Sequence, residues 1–486
     1  MFDFDQPLTP LPFDEPRRRR GKPLLAWAVI AGTVACVAWA QAHRAPLRAA
    51  GASELTHAVR EWQERYLVGV AHAFNQRQRG QFAPQAAALD RGSLAERLRY
   101  VALDGEFEGP NTALAKLDQL APRLAEANGN DGIELRATAA SLRHLYDDLA
   151  AGKPDAPSVD EADRKRLMEQ LGWLGRLALH PEEGTDAVGR EVLIAEARRT
   201  MFASLAAMAM VGLAGLAGLA GLVALVILLL LRKKSRALVE RTEYGGIYAE
   251  TFAVWMLLHG GLSFAVAEMP IARDYQFMVI GGVMLASLSA LLWPILRGVP
   301  WRQVREDIGF NFGKRPWLEP WAGIGCYATA LPLLFVGVLL MLALIAAGRA
   351  VDGGAGPPGL TPDEVPNHPI VGWVLSAGWW VRLQLLIVAS VVAPIVEETM
   401  FRGVLHRHLR DATAELGYIA SALASATVAS FVFAAVHPQG LLAVPALMAL
   451  AFAFTLVREW RGTLVPGMVA HGLNNGLAMW LLISLK

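Results

Sequence analysis

Three short segments near the C-terminus place acid, imidazole and amide side chains within apolar sequence. Adjacent carboxylates stand at Glu397 and Glu398, a histidine at His437, and a histidine and an amide at His471 and Asn475. Ionisable groups are costly inside a membrane span and by default indicate function. Because two neighbouring carboxylates in a low-dielectric site cannot both ionise cheaply, one of them can serve as a general base on water. Histidines and an amide can orient that water and stabilise an oxyanion, which together predicts hydrolysis without a covalent nucleophile.

Helical spacing predicts which of these groups lie on a common face. His471 and Asn475 are four residues apart and therefore share one face of a helix. Glu398 and Arg402 have the same spacing and are predicted to form an ion pair. At a rise of ~1.5 Å per residue, Glu398, His437 and the last pair fall at intermediate depths that agree to within about two or three turns. The spacing is therefore compatible with one shared site inside the bilayer, reached from the cytoplasmic side.

The three segments also match three motifs, EExxxR, FxxxH and HxxxN, in that order along the chain. The matching residues are Glu397-Glu398…Arg402, Phe433…His437 and His471…Asn475. With these motifs on successive apolar segments, the sequence resembles the CPBP (CAAX protease and bacteriocin-processing, or Abi) family, which includes the type II CAAX prenyl endopeptidases. The resemblance covers residues 300–486 and implies an intramembrane endopeptidase.

The resemblance also implies a role for each matching residue. Glu397 would activate water, His437 would help to hold that water, and His471 with Asn475 would stabilise the oxyanion. The rest of the implied site is Glu398, with Arg402 and Phe433 as supporting residues.

A zinc site is the alternative mechanism. Two histidines and a carboxylate are a common catalytic zinc set, which Glu397, His437 and His471 could supply. The chain lacks the H-E-x-x-H motif, and the three ligands would have to come from three separate helices. We therefore favour glutamate-activated water without a cofactor and keep zinc as the competing hypothesis.

The elements that must position these residues are predicted to be membrane helices. Of the 486 residues, 54% are hydrophobic and 18% are charged, whereas soluble chains are about 25% charged. The net charge of +1 gives no electrostatic reason to expect a nucleic-acid partner. The two cysteines, Cys36 and Cys326, lie in apolar runs and offer no disulfide framework.

Apolar runs of about 18 residues or more, long enough to cross a bilayer, predict about nine transmembrane helices. The predicted spans are 23–41, 201–231, 247–267, 276–296, 321–347, 379–400, 420–437, 442–457 and 464–485. The second span contains Gly212, Gly215, Gly218 and Gly221, which predict a face for close helix packing. The predicted fold class is an all-α polytopic membrane bundle with an inserted soluble helical domain.

The predicted domain order follows from these runs. It is a basic cytoplasmic N-terminus at 1–22, a transmembrane anchor at 23–41, a helical domain at 43–199, transmembrane helices 2–4 at 201–296 and a protease-like core at 300–486. We interpret the first span as an uncleaved anchor because it is longer than a usual signal sequence, although Ala40-Gln41-Ala42 resembles a cleavage site.

Charge distribution predicts the orientation. The basic clusters that flank the spans all fall on the side of the N-terminus, at 232–241, 297–315, 402–410 and 458–461. The positive-inside rule makes this side cytoplasmic. The chain is therefore expected to be a multi-pass protein of a bacterial inner membrane, with residues 43–199 extracytoplasmic. His406 and His408, within one of these clusters, are expected to contact lipid head groups.

Three functions compete at this stage. The first is an endopeptidase acting on a membrane-associated protein or peptide. The second is a non-catalytic scaffold or immunity protein whose residues 43–199 capture a ligand. The third is a transporter, which ranks last because no inverted repeat or pair of broken helices is visible. His259, in the third span, has no partner motif and is interpreted as structural or pore-facing. The sequence predicts neither the substrate nor the partner of residues 43–199.

Overall fold

The structure, a computed structural model, describes residues 20–43, 52–73, 92–231, 242–351 and 370–484. Within these ranges every regular element is helical, which confirms the predicted all-α class. Most of the predicted basic N-terminus, residues 1–19, lies outside the described residues, as do the basic positions 232–241.

The helices fall into two consecutive groups. Up to residue 231 the described helices are α1 (Pro23–His43), α2 (Ala52–Ala71), α3 (Leu94–Glu108), α4 (Pro110–Glu126), α5 (Gly129–Ala150), α6 (Glu161–Leu171), α7 (Trp173–Ala178) and α8 (Ala187–Leu231). From residue 242 they are α9 (Gly245–Ala267), α10 (Arg273–Leu296), α11 (Trp301–Ile308), α12 (Glu319–Val351), α13 (Ile370–Ser376), α14 (Trp379–Ala412), α15 (Tyr418–Ala435), α16 (Val444–Arg461) and α17 (Val465–Ser484). Short 3-10 turns stand at Arg273–Tyr275 and Leu288–Leu291 within α10, and at Pro316–Leu318, Ala414–Leu416 and Leu441–Ala443 between helices.

Eight of the described helices are long and apolar enough to cross a membrane, so the chain is a multi-pass membrane protein. They are α1, α8, α9, α10, α12, α14, α15 and α16. The ninth predicted span forms α17, which is not among the eight, because His471, Asn474 and Asn475 interrupt its apolar sequence. These polar residues do not face lipid alone, since α17 packs against α12 and α14.

Helices α2 to α7 and the first part of α8 pack around a core of their own. The core is built from aliphatic side chains such as Val101, Leu142 and Leu145, each with none of its surface exposed. Glu64 is buried in the same region and accepts hydrogen bonds of 2.6 Å from Nε and from Nη2 of Arg99. A buried carboxylate therefore has a guanidinium partner for both of its oxygens.

Helix α8 connects this helical domain to the membrane helices without a break. It has 45 residues and is therefore ~68 Å long. Leu193 and Ala197 belong to the domain core, whereas Gly218 lies so close to the carbonyl of Ala328 in α12 that no Cβ would fit. The predicted glycine packing face is confirmed at Gly218 and Gly221 only, because nothing lies within 4 Å of a Cβ built at Gly212 or Gly215.

The first span is part of the bundle rather than a peripheral anchor. Helix α1 packs along α9, and the indole nitrogen of Trp27 donates a 2.9 Å hydrogen bond to Nε2 of His408. At its other end, Nε2 of Gln41 donates a 2.6 Å bond to the carbonyl of His437. Helix α1 thus contacts the last turns of α14 at His408 and the backbone of His437 beyond α15.

The turn between α15 and α16 lies within the depth of the bundle. Glu319, at the start of α12, is bonded to Arg461 at the end of α16. Gly337, ~27 Å further along α12, packs against the carbonyl of Pro445 at the start of α16. Because α12 continues to Val351, ~20 Å beyond that contact, the turn does not reach the end of the bundle.

Candidate active site

Helix α14 carries the two carboxylates on an irregular backbone. Two π-helical stretches, Val388–Val392 and Glu398–Leu405, flank a short α-helical stretch, Ala393–Glu397, which includes Pro394. A proline inside a helix removes one backbone donor, and π turns frequently mark functional sites. The sequence predicted a regular span ending near residue 400, whereas α14 continues to Ala412.

Glu397 faces two imidazoles from two other helices. Its Oε2 lies 3.8 Å from Nε2 of His437, just beyond the end of α15, and 3.7 Å from Nε2 of His471 in α17. Both distances exceed a direct hydrogen bond but suit groups that share a water molecule. Among the described residues Oε2 has no hydrogen-bond partner, although it is buried. The side chain as a whole is 19% exposed, so the carboxylate remains accessible.

Glu398, by contrast, is enclosed and already paired. Its Oε1 lies 2.9 Å from Nδ1 of His471 and 3.0 Å from Nη1 of Arg402, which confirms the predicted pairing with Arg402. The side chain is 1% exposed. Adjacent carboxylates therefore differ in environment, and Glu397 is the one that a substrate or water molecule can reach.

The two histidines are held through their Nδ1 atoms. Nδ1 of His437 lies 2.6 Å from the carbonyl of Phe433, an acceptor, so this nitrogen carries the proton. Nδ1 of His471 donates in the same way to Glu398. In each neutral ring Nε2 is then left with a lone pair directed toward Glu397, where it can accept a hydrogen bond.

Aromatic rings pack against the charged groups of the site. Arg402 is 2% exposed, and its guanidinium carbon lies 4.4 Å from the ring centre of Phe433 and 5.8 Å from that of Phe454. Phe433 also lies 4.1 Å from the ring of His437. The guanidinium thus makes cation–π contacts in addition to its ion pair with Glu398, and these contacts stabilise its position.

The hydrogen bonds of the Asn475 side chain go to the Ala389 carbonyl and to Asn474. Nδ2 of Asn475 donates a 2.9 Å hydrogen bond to the carbonyl of Ala389 in the first π stretch of α14, and its Oδ1 accepts from Asn474 at 3.1 Å. The structure therefore brings Glu397, Glu398, His437 and His471 together, while Asn475 lies beside them and bonds to backbone.

Two further side chains adjoin the site without belonging to any motif. His259 of α9 stacks on Trp255 with ring centres 5.4 Å apart, and Trp255 packs edge-on against Phe401 of α14. Gln41 holds the His437 carbonyl, as described above. The sequence had singled out His259 without a partner motif, but it gave no signal for Gln41, whose contact joins segments that lie far apart along the chain.

The expectation that His406 and His408 contact lipid head groups is wrong. Nε2 of His406 lies 2.8 Å from Oε1 of Glu459, which is also 2.7 Å from Nε of Arg410. His406 is fully buried and His408 is 4% exposed. Because α14 continues past residue 400, its basic last turns enter the bundle and pair with α1 and α16 instead of reaching the lipid surface.

The zinc alternative gains no support from the arrangement of side chains. In the part of the chain that the structure describes, no group of three or more histidine, cysteine, aspartate or glutamate residues could hold a metal ion. The set Glu397, His437 and His471 therefore stays a hypothesis that needs a biochemical test.

Close packing of α17 against α14 gives a first prediction. A Cβ built on Gly472 would lie 2.3 Å from the carbonyl oxygen of Ser390, a backbone atom. Gly472→Ala should therefore push α17 away from α14 and misplace His471. Because displacements of ~1 Å can cost about 10²-fold in rate, we expect a loss of that order in cleavage by membranes carrying the variant.

Gly325→Ala in α12 is the matched control, since nothing lies within 4 Å of a Cβ at that position. It should retain the native rate. Equal rates for the native protein and Gly472→Ala would show that the contact between α17 and α14 does not set the site.

Comparison with known proteins agrees with the motif analysis. Residues 378–477 match the family model described as Type II CAAX prenyl endopeptidase Rce1-like. This match confirms the resemblance to the CPBP family over the segment that contains all three motifs. No curated protein and no solved structure matched the chain. Residues 378–477 are thus similar to a membrane domain of the CAAX-protease type.

Proposed function

Starting from this CAAX-protease-type domain at 378–477, we propose that the chain is an intramembrane endopeptidase. It hydrolyses a peptide bond of a membrane-associated protein or peptide with water activated by Glu397. The observation that carries the proposal is the position of Glu397 Oε2, 3.8 and 3.7 Å from two imidazole nitrogens and free of other partners among the described residues.

In the proposed reaction a water molecule lies between Glu397 and His437. The water donates one hydrogen bond to Glu397 Oε2 and the other to Nε2 of His437, which its bond to Phe433 leaves unprotonated. Glu397 takes a proton as the water oxygen attacks the carbonyl carbon, and the carbonyl electron pair moves to the oxygen. When the tetrahedral intermediate collapses, the C–N bond breaks and Glu397 returns the proton to the leaving nitrogen.

His471 is proposed to stabilise the oxyanion. A neutral His471 that donates from Nδ1 to Glu398 has no hydrogen on Nε2, so it can donate to an oxyanion only as an imidazolium. Glu398, itself held by Arg402, stabilises that imidazolium in the way that a buried aspartate stabilises the histidine of a catalytic triad. The motif residues thus divide into a reacting pair, Glu397 and His437, and a supported donor, His471.

We also propose the orientation predicted from charge. The chain lies in a bacterial inner membrane with residues 43–199 extracytoplasmic. The rigid connection through α8 supports a fixed position of the helical domain above the membrane core. The contact between Gln41 and His437 favours a first span that is retained in the mature protein.

The test compares membrane peptides by mass spectrometry in cells that carry the native chain or Glu397→Ala. A peptide shortened only in the native cells would identify the substrate. If Glu397→Ala instead keeps full biological activity and deletion of residues 43–199 abolishes it, the chain is a ligand-capturing scaffold and the protease proposal is wrong.

The sensitivity of cleavage to a chelator distinguishes the glutamate-activated mechanism from the zinc-dependent mechanism. We expect cleavage by the purified full-length protein to be unchanged after incubation with EDTA or 1,10-phenanthroline, because Glu397 alone activates the water. The measurement is the initial rate, together with the metal content of the protein. Loss of activity that is restored by added zinc would establish the metal-dependent mechanism instead.

A further inference from the structure

Pro394 leaves one backbone carbonyl of α14 without a helical donor. In the π stretch before it, the N–H of Ala393 donates to the carbonyl of Val388, five residues back. The next donor in that pattern, for the carbonyl of Ala389, would be the N–H of residue 394. Proline has no N–H, so the helix itself provides no hydrogen-bond donor for the Ala389 carbonyl.

Asn475 supplies the missing hydrogen bond. Its Nδ2 lies 2.9 Å from the Ala389 carbonyl, and its Oδ1 accepts from Asn474. At membrane depth water is scarce, and a freed backbone group must be satisfied by a side chain or remain costly. An amide on the neighbouring helix therefore replaces the bond that Pro394 removes.

The same contact fixes the position of α17 against α14 next to the reacting groups. A Cβ at Gly472 would lie 2.3 Å from the Ser390 carbonyl, and a Cβ at Gly476 would lie 3.3 Å from Ser390 Oγ, so the two backbones touch here. His471 stands one turn before Asn475 on α17, and Glu397 stands one turn after Pro394 on α14. The position of α17 on α14 thus sets the 3.7 Å distance between His471 and Glu397.

We propose that Asn475 is a positioning residue, which replaces the hydrogen bond that Pro394 withholds from Ala389 and thereby holds His471 against the two carboxylates. This assignment rests on the proposed function and differs from the oxyanion role that the family resemblance implies. The Asn475–Ala389 bond commits one of the two amide hydrogens of Asn475 to backbone.

A double-mutant cycle tests the proposal on the purified full-length protein in detergent. The four forms are the native chain, Asn475→Ala, Pro394→Ala and the double variant. In the native background Asn475→Ala leaves Ala389 unsatisfied and should lower the thermal midpoint by about 2–4 °C. Where residue 394 is alanine, its N–H can donate to the Ala389 carbonyl. Asn475→Ala should then lower the midpoint by less than about half of its effect in the native background.

The second readout is the initial rate of cleavage of the peptide that the mass-spectrometric comparison identifies. Asn475→Ala should reduce the rate strongly in the native background and much less beside Pro394→Ala. An oxyanion donor would instead cost about 10²–10³-fold in both backgrounds, without any coupling in thermal midpoint. The proposal is wrong if Asn475→Ala lowers both the thermal midpoint and the cleavage rate equally in the native chain and in the Pro394→Ala variant.

The thermal cycle does not depend on activity. If no peptide is cleaved by any form, the proposed function fails while the coupling between Asn475 and Pro394 is still decided. Ser484→Ala at the end of α17 is the control, because the Ser484 hydroxyl bonds to the carbonyl of Trp480 on the same helix. Its effect on the midpoint should be the same in both backgrounds.

Discussion

Replacing Glu397 by glutamine is expected to lower the cleavage rate by about 10²–10⁴-fold, the usual contribution of a general base. The amide has nearly the shape of the carboxylate, but it cannot take a proton from water. The fold should survive, because Glu397 Oε2 makes no hydrogen bond among the described residues that the change would break. The measurement is kcat and KM with the peptide substrate, alongside the thermal midpoint.

The control for this prediction is Glu268→Gln, a carboxylate at the end of α9 that is exposed and away from the site. It should retain native kcat and KM. A Glu397→Gln protein that cleaves at the native rate would show that Glu397 is not the base and would direct attention to Glu398.

Replacing Arg402 by alanine is expected to destabilise the protein by about 3–5 kcal/mol, because it leaves Glu398 as a buried charge without its cation. The pair is at 3.0 Å, with 2% and 1% of the two side chains exposed. The change also removes the cation–π contact with Phe433. We expect a lower thermal midpoint and loss of cleavage. The double variant Arg402→Met, Glu398→Gln should regain much of the midpoint but not the activity, since it removes both charges.

The chain offers a matched control for burial. Arg302 and Glu306 form an ion pair with the same four-residue spacing and the same 3.0 Å distance, but their side chains are 85% and 57% exposed. Arg302→Ala should therefore leave the thermal midpoint unchanged. If Arg402→Ala were equally harmless, the buried pair would not be what holds Glu398 and His471 together.

Sequence reasoning could single out the candidate residues because the motifs are short and local. The spacing of Glu398 and Arg402 fixes their separation on any helix, and their pairing was predicted and is confirmed. The family resemblance rested on three such motifs and is confirmed over residues 378–477. Length and apolar runs were sufficient for the all-α membrane class, because a bilayer admits few other spanning structures.

Other expectations failed where a regular helix was assumed. Pro394 gave a visible signal of irregular backbone, yet neither the two π stretches nor the extension of α14 to Ala412 follows from it by pattern alone. The misplacement of His406 and His408 came from this assumption, since a span that ends near residue 400 would expose them. In the structure His406 is instead paired with Glu459, and His408 is bonded to Trp27 of α1.

The amino-acid sequence by itself determined which groups are available: two adjacent carboxylates, two imidazoles and an amide, each on an apolar helix. Only the tertiary structure decided how these groups are arranged and which of them remain accessible. It placed Glu397 in reach of both histidines, enclosed Glu398 with Arg402, and directed Asn475 to the backbone of α14. The physical reason is that helical periodicity fixes relations within a helix, whereas distances between helices depend on side chains and backbone irregularities far apart along the chain.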